Sequence, residues 1–139
     1  MEQRDYILRE IEKIGVVLSA ILQKFLGGKD NLAITLEARI EDSKGMLLNE
    51  TNFNLDKFLE LDIENSNEYI CSHNGFNGEN MELLADCLYK IGLNDIGDSS
   101  KKYLEKALQL YDLCNLKSKT YSFEREANIK AIKNVLERI

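Results

Sequence analysis

Apolar residues recur along this chain at alternating steps of four and three. Ile7, Ile11, Ile14, Leu18, Ile21 and Phe25 form such a series, which stacks their side chains on one side of a helix and demands a partner surface. The series predicts a first helix from about Arg4 to Leu26, stopped by Gly27 and Gly28, residues that enter the left-handed conformation cheaply. Its second half, through Val16, Val17, Leu18, Ala20, Ile21 and Leu22, is apolar on nearly every side. That half belongs at the centre of a core or in a subunit interface, so Val16, Val17, Ile21, Leu22 and Phe25 are candidates for self-association.

The same periodicity places five more helices. Asp30 offers an N-cap for a second helix reaching about Asn49, with Leu32, Leu36, Ile40 and Leu47 inward, antiparallel to the first. A short helix with Leu55, Phe58 and Leu59 is capped by Asn54, has Asp56 favourably placed against its dipole, and fades into the polar residues 62–68. Asn74-Gly75 and Asn77-Gly78 are turn dipeptides and predict a loop over residues 72–80. Met81, Leu84, Ala85, Leu88 and Ile91 define a fourth helix, ended by Gly92 with Leu93 in the hydrophobic contact of a C-cap. Asp98, Ser99 and Ser100 start a fifth, with Leu104, Ala107, Leu108, Tyr111 and Cys114 on one face. Ser122, followed by Glu124 and Glu126, starts the last, to which Ala127, Ile132, Val135, Leu136 and Ile139 contribute. No window alternates with the period of a strand. The expected fold is all-α, about six helices in antiparallel hairpins within a single domain of 139 residues.

Two of these helices share a finer pattern. Ile11-x-x-Ile14-Gly15-x-x-Leu18 and Met81-x-x-Leu84-Ala85-x-x-Leu88 both read large, large, small, large, the pattern of the first helix of a tetratricopeptide repeat, in which the small residue admits a neighbouring helix. Nothing midway between them repeats it, and the chain has no proline to end a repeat. A tetratricopeptide-like arrangement and an irregular helical bundle both fit. In the first, Glu82, Asp86 and Tyr89 lie on the inner side of the repeat helix, where such proteins receive peptides; they are the candidate partner-binding residues.

The opening Arg4-Asp5-Tyr6-Ile7-Leu8-Arg9-Glu10-Ile11-Glu12-Lys13-Ile14-Gly15, together with Ser118-Lys119-Thr120-Tyr121-Ser122-Phe123-Glu124-Arg125, resembles a family of small uncharacterised bacterial proteins with tetratricopeptide-like helices. The resemblance implies that fold and a cytoplasmic bacterial setting, and it carries over no functional residue.

Charge and chemistry narrow the picture further. The net charge of −6 is uneven, about −10 over residues 1–98 and +4 over residues 99–139. Lys101, Lys102, Lys106, Lys117, Lys119 and Lys130 are interleaved with Glu105, Asp112, Glu124 and Glu126, whereas a phosphate-binding surface concentrates its charge, so nucleic-acid binding is not expected. The longest apolar stretch, residues 15–26, is broken by Ser19, Gln23 and Lys24 and is shorter than the roughly twenty residues that cross a bilayer. The opening residues lack the basic flank of an export signal. Three cysteines, Cys71, Cys87 and Cys114, far apart and odd in number, point to reduced thiols in a cytoplasm.

No reaction centre is legible. Glu68, Cys71 and His73 are too few for a structural zinc site, which wants four ligands, and a Cys71–His73 nucleophile pair lacks an orienting third group. Asp62, Glu64, Ser66 and Glu68 mimic the start of a calcium loop, but Asn67 and His73 stand where glycine and glutamate are needed. Gly27-Gly28-Lys29 lacks the other elements of a phosphate loop. The expected function is a non-enzymatic protein-protein interaction module with no cofactor, taking a protein or peptide partner of basic or amphipathic character. A self-associating structural protein, forming a homodimer through the first helix, is the alternative. A small metal-dependent helical enzyme using Glu68, Cys71 and His73 is the remote one.

Overall fold

Seven helices carry the chain, and no strand forms, among the residues described by the computed structural model, 2–26, 35–94, 99–118 and 121–138. They are α1 (Glu2–Leu26), α2 (Leu36–Thr51), α3 (Leu55–Glu60), α4 (Ile63–Cys71), α5 (Gly78–Asn94), α6 (Ser99–Lys117) and α7 (Phe123–Arg138). The expected all-α class holds. In space the long helices stand in the order α2, α1, α5, α6, α7, with α5 and α6 forming the most extensive pair and α3 touching α2, α4 and α6.

Two side chains fix the register of α1 on α5. Asn80 Nδ2 donates to the Ile11 carbonyl at 2.8 Å, and Cys87 Sγ to the Leu18 carbonyl at 3.4 Å; both spans are 69 residues, so the helices run parallel and in step. Gly15, the small residue of the pattern on α1, lies in this contact. A Cβ on Gly15 would sit 3.2 Å from Asn80 Oδ1, and Ala85 is fully buried. Ile14, Val17, Leu18, Ile21 and Phe25 fill the core from α1; Leu84, Leu88 and Ile91 meet them from α5. The register also explains where the opening seam fails. Gly78, the first residue of α5, falls opposite about residue 9, so Ile7 lies past the end of its neighbour and stays 36 % exposed, with Ile11 half-buried.

The second helix doubles back as the sequence requires. Lys24 pairs with Asp42 at 3.0 Å, and Arg39 donates to the Lys24 carbonyl at 3.0 Å while its guanidinium lies over Phe25. At the other end Phe53 stacks on Phe76, at 4.9 Å between ring centres, beside the Gly75 that abuts Glu10 of α1. Its start differs from expectation. Thr35, in extended backbone, caps α2 by accepting from Ala38 N, whereas Asp30 and Leu32, like Gly27, Gly28, Asp98 and Ile139, lie outside the described residues.

Four other expectations are corrected. The polar residues 62–68 are not a fading helix end: Asp62 accepts from Asn65 N at 2.8 Å and starts α4, which buries Ser66 and Ile70 at 3.6-residue spacing. Asn77-Gly78 is a helix start, since Asn77 Oδ1 accepts from Asn80 N at 3.0 Å. Gly92 does not end its helix, which continues to Asn94. It is buried, and a Cβ there would lie 2.7 Å from Leu104 Cγ, so its smallness brings α6 close to α5. In α7 the exposed Ala127 leaves the inward role to Ile129 and Ile132. The caps foreseen at Asn54 and Ser122 do accept from Lys57 N and Arg125 N.

Candidate interaction grooves

The acidic face of α5 is roofed by the last helix. Arg125 of α7, only 8 % exposed, donates to Glu82 Oε1 from Nε at 2.8 Å and lies 2.6 Å from it through Nη2, and its Nη1 donates to Asn115 Oδ1 at 2.8 Å. One turn along α5, Asp86 accepts from the hydroxyl of Tyr111, which is fully buried and itself accepts from Asn128 Nδ2 at 3.2 Å. Burial raises the Asp86 carboxyl above its ordinary value, against the hydrogen bond from Tyr111. Burial and the neighbouring carboxylate push the Tyr111 phenol up as well. What remains open here is a cleft of about 570 Å³ lined by Glu79, Glu82, Asp86, Cys114, Lys117 and Arg125 among others. Glu82 and Asp86 are therefore engaged within the chain. Tyr89 is half-buried, with Lys90 Nζ 5.4 Å from its ring centre.

A larger groove opens on the other side of α6, and it is about twice the volume at roughly 1160 Å³. Its apolar lining is Leu59, Leu61, Ile63, Leu108, Leu113 and Leu116; its charged lining includes Glu60, Asp62, Glu64, Glu105 and Asp112 with Lys101 and Lys102. Ile63 is 66 % and Leu116 84 % exposed, so the apolar lining reaches solvent at the start of α4, beside Gln109, and about two turns further along α6. Lys106 joins the two walls. Its buried ammonium donates to the Leu61 carbonyl at 2.6 Å, Ser66 Oγ at 2.9 Å and Gln109 Oε1 at 3.1 Å, and lies 5.2 Å from the Phe58 ring centre. Burial lowers its pKa, and the charges of Asp62 and Glu105 offset only part of that. Gln109 Nε2 adds bonds to Ser66 Oγ at 2.6 Å and Asn67 Oδ1 at 2.9 Å.

The sequence did not single out this groove, although one signal was present. The face of α6 that enters the core uses Leu104, Ala107, Tyr111 and Cys114, yet Lys101, Glu105, Leu108, Asp112 and Leu116 also recur at steps of four and three. A second stripe holding two leucines on an already packed helix marks a surface with something to cover.

The proposed self-association set is divided by the fold. Val17, Ile21 and Phe25 are at most 5 % exposed and Leu22 is half-buried against the core, which leaves Val16, 65 % exposed, outside. Tyr6 and Leu8 are exposed further along α1. His73 sits in an aromatic knot with Phe53, Tyr69 and Phe76, its Nδ1 2.9 Å from the Tyr69 carbonyl and its Nε2 3.3 Å from that of Asn52. Cys71 points outward, and no three potential ligands among the histidine, cysteine, aspartate and glutamate side chains converge among the described residues. No helix among them is long and apolar enough to cross a membrane.

No protein-family model, no curated protein and no solved structure matches this chain.

Proposed function

We propose that the chain is a non-enzymatic helical interaction module, and that it receives a segment of another protein in the groove between α3, α4 and α6. The observation that carries this reading is the exposed apolar lining: Ile63 and Leu116 face solvent beside half-buried leucines, and apolar surface bordered by polar groups is what segments of other proteins bury. Between the walls, Lys106 and Gln109 are hydrogen-bonded to the Leu61 carbonyl, Ser66 and Asn67, and these bonds hold the groove's shape.

A tetratricopeptide-like stacking belongs to the same reading. It is supported by the parallel α1–α5 contact, which brings two helices carrying the same large-small pattern side by side; Gly15 and Ala85 are 70 residues apart, and the two hydrogen bonds between the helices each span 69. The α3 and α4 insertion then accounts for the missing middle repeat. A cytoplasmic setting fits as well, with Cys71, Cys87 and Cys114 all unbridged.

A photo-crosslinking amino acid placed at Leu116 or Ile63 in cells tests the reading. Adducts with another protein are expected at both positions and not at Leu48, an exposed control on α2. Equal labelling at all three, or none at the groove, overturns it. Self-association is the second reading, favoured by the exposure of Tyr6, Leu8 and Val16 on one helix. Light scattering decides it, since a monomeric mass at micromolar concentration removes the homodimer.

A further inference from the structure

We infer that the occupant of the α3–α4–α6 groove is a basic amphipathic helix of a partner protein; the inference rests on the interaction reading above and adds the chemistry of the partner. The argument is one of charge and length. The lysines of the lining are already engaged: Lys102 by Glu60, Lys101 by Glu105 at 3.8 Å, and Lys106 by neutral acceptors inside the wall. Asp62 is committed to capping Asn65. Glu64 and Asp112 have no ion-pair or hydrogen-bond partner among the described residues, and both line the groove, Glu64 next to the exposed Ile63 and Asp112 one turn before the exposed Leu116. The surplus of the groove is therefore negative and lies beside its most accessible apolar surface. A lysine or arginine flanking an apolar anchor meets both at once, while phosphate groups or an acidic helix are repelled there.

Length selects the secondary structure of the occupant. The α6 wall from Lys101 to Leu116 rises roughly 22 Å, about four helical turns. Its volume of about 1160 Å³ exceeds the roughly 300–1000 Å³ of a typical small-molecule pocket. A helix laid along it meets Leu108, Leu113 and Leu116 on the second half of α6 and Leu61 and Ile63 across from it, through its own i, i+3, i+4 and i+7 positions, the usual mode for a helix in a groove.

The test uses the whole chain and three fluorescent synthetic peptides of about sixteen residues: a leucine-lysine amphipathic helix, its leucine-glutamate counterpart, and a scramble of the first with no apolar face. Anisotropy titrations should show the leucine-lysine helix binding at least about tenfold more tightly than either control. Ile63→Ser with Leu116→Ser should weaken it by about tenfold, and Glu64→Lys with Asp112→Lys should reverse the preference toward the glutamate peptide. All four side chains are exposed, so far-ultraviolet circular dichroism should be unchanged in these variants; Glu64 lies in the first turn of α4, so its replacement by lysine should lower Tm by only a few degrees. If the glutamate helix binds as well or better, and the serine variants still weaken it, the basic partner is wrong while the groove stands as an interaction site. If no peptide responds to the serine variants, the groove itself falls. A dimer of this chain that dissociates on Leu116→Ser would assign the groove to a second copy and overturn the inference.

Discussion

Arg125 and Glu82, 43 residues apart, share two contacts to one carboxylate oxygen, at 2.8 and 2.6 Å. The pair ties α7 to α5, although α7 packs mainly on α6. Its two ends differ in exposure, 9 % for the arginine side chain and 31 % for the glutamate. Removing the glutamate strands a buried guanidinium, whereas removing the arginine leaves a carboxylate that water can reach. Losing one partner of a fully buried pair costs about 3–5 kcal/mol. The partial exposure of Glu82 brings the expected loss for Glu82→Gln to roughly 1–3 kcal/mol. Arg125→Met should cost less. Urea denaturation gives both values, and hydrogen exchange should speed up first over residues 123–138 in the glutamine variant.

Glycine replacement discriminates two kinds of close approach. A Cβ at Gly75 would lie 2.7 Å from the Glu10 carbonyl oxygen and against Ile14, so helix backbone must move. At Gly92 it would meet the Leu104 side chain at Cγ and Cδ2, both 2.7 Å away, with the Leu104 backbone nitrogen at 3.4 Å; a side chain shifts more easily than a helix backbone, and alanine gains about 1 kcal/mol of helix propensity there. Overpacking costs about 1–3 kcal/mol. Gly75→Ala should sit at the top of that range or above, and Gly92→Ala near its bottom, as measured by shifts in denaturation midpoint at constant slope.

Lys106→Met should destabilise the fold by about 1–3 kcal/mol, because the Leu61 carbonyl and Gln109 Oε1 lose their donor. Burial lowers the lysine's pKa from 10.5. The unfolded chain therefore holds this proton to higher pH than the folded one, and the lysine's contribution to stability rises with pH between the lowered value and 10.5. The gap between wild type and the methionine variant should widen through that window in denaturation series run at stepped pH.

Cys114 works in the opposite direction. Burial pushes its thiol from 9.0 up to about 11. A raised folded value means the folded chain keeps the proton longer, so its contribution is complete below pH 9.0 and is lost as pH rises through about 11. Cys114→Ala should flatten the alkaline decline of stability by roughly 2 kcal/mol over that interval. A decline of unchanged slope in the variant would place its origin elsewhere.

The helices were legible because their apolar spacing is regular: the inward Ile14, Leu18, Ile21, Leu84, Leu88, Leu104 and Ala107 could be named from the chain alone, as could the caps Asn54 and Ser122. α4 escaped because it buries a serine and one isoleucine, too little grease for a periodic signal, and its start depends on Asp62, which also suits a loop. Gly92 misled for a related reason, since a glycine that admits a neighbour and one that ends a helix look alike until the neighbour is known. The acidic face of α5 was identified as a surface, but its roof, Arg125, comes from a helix 43 residues on, and no local pattern announces that pairing. The groove escaped for the same reason: it joins the start of α4 to α6.

The 69-residue offset between α1 and its neighbour α5 also sets a timetable. A ribosome adding about 5–20 residues per second needs roughly 3–14 s to deliver the complement of Ile14, Leu18 and Ile21 after those residues emerge. Throughout that wait the apolar side of the first helix lacks its α5 partner, and the segments made earlier, α2 and the turn at Gly75, are all the chain itself can offer it.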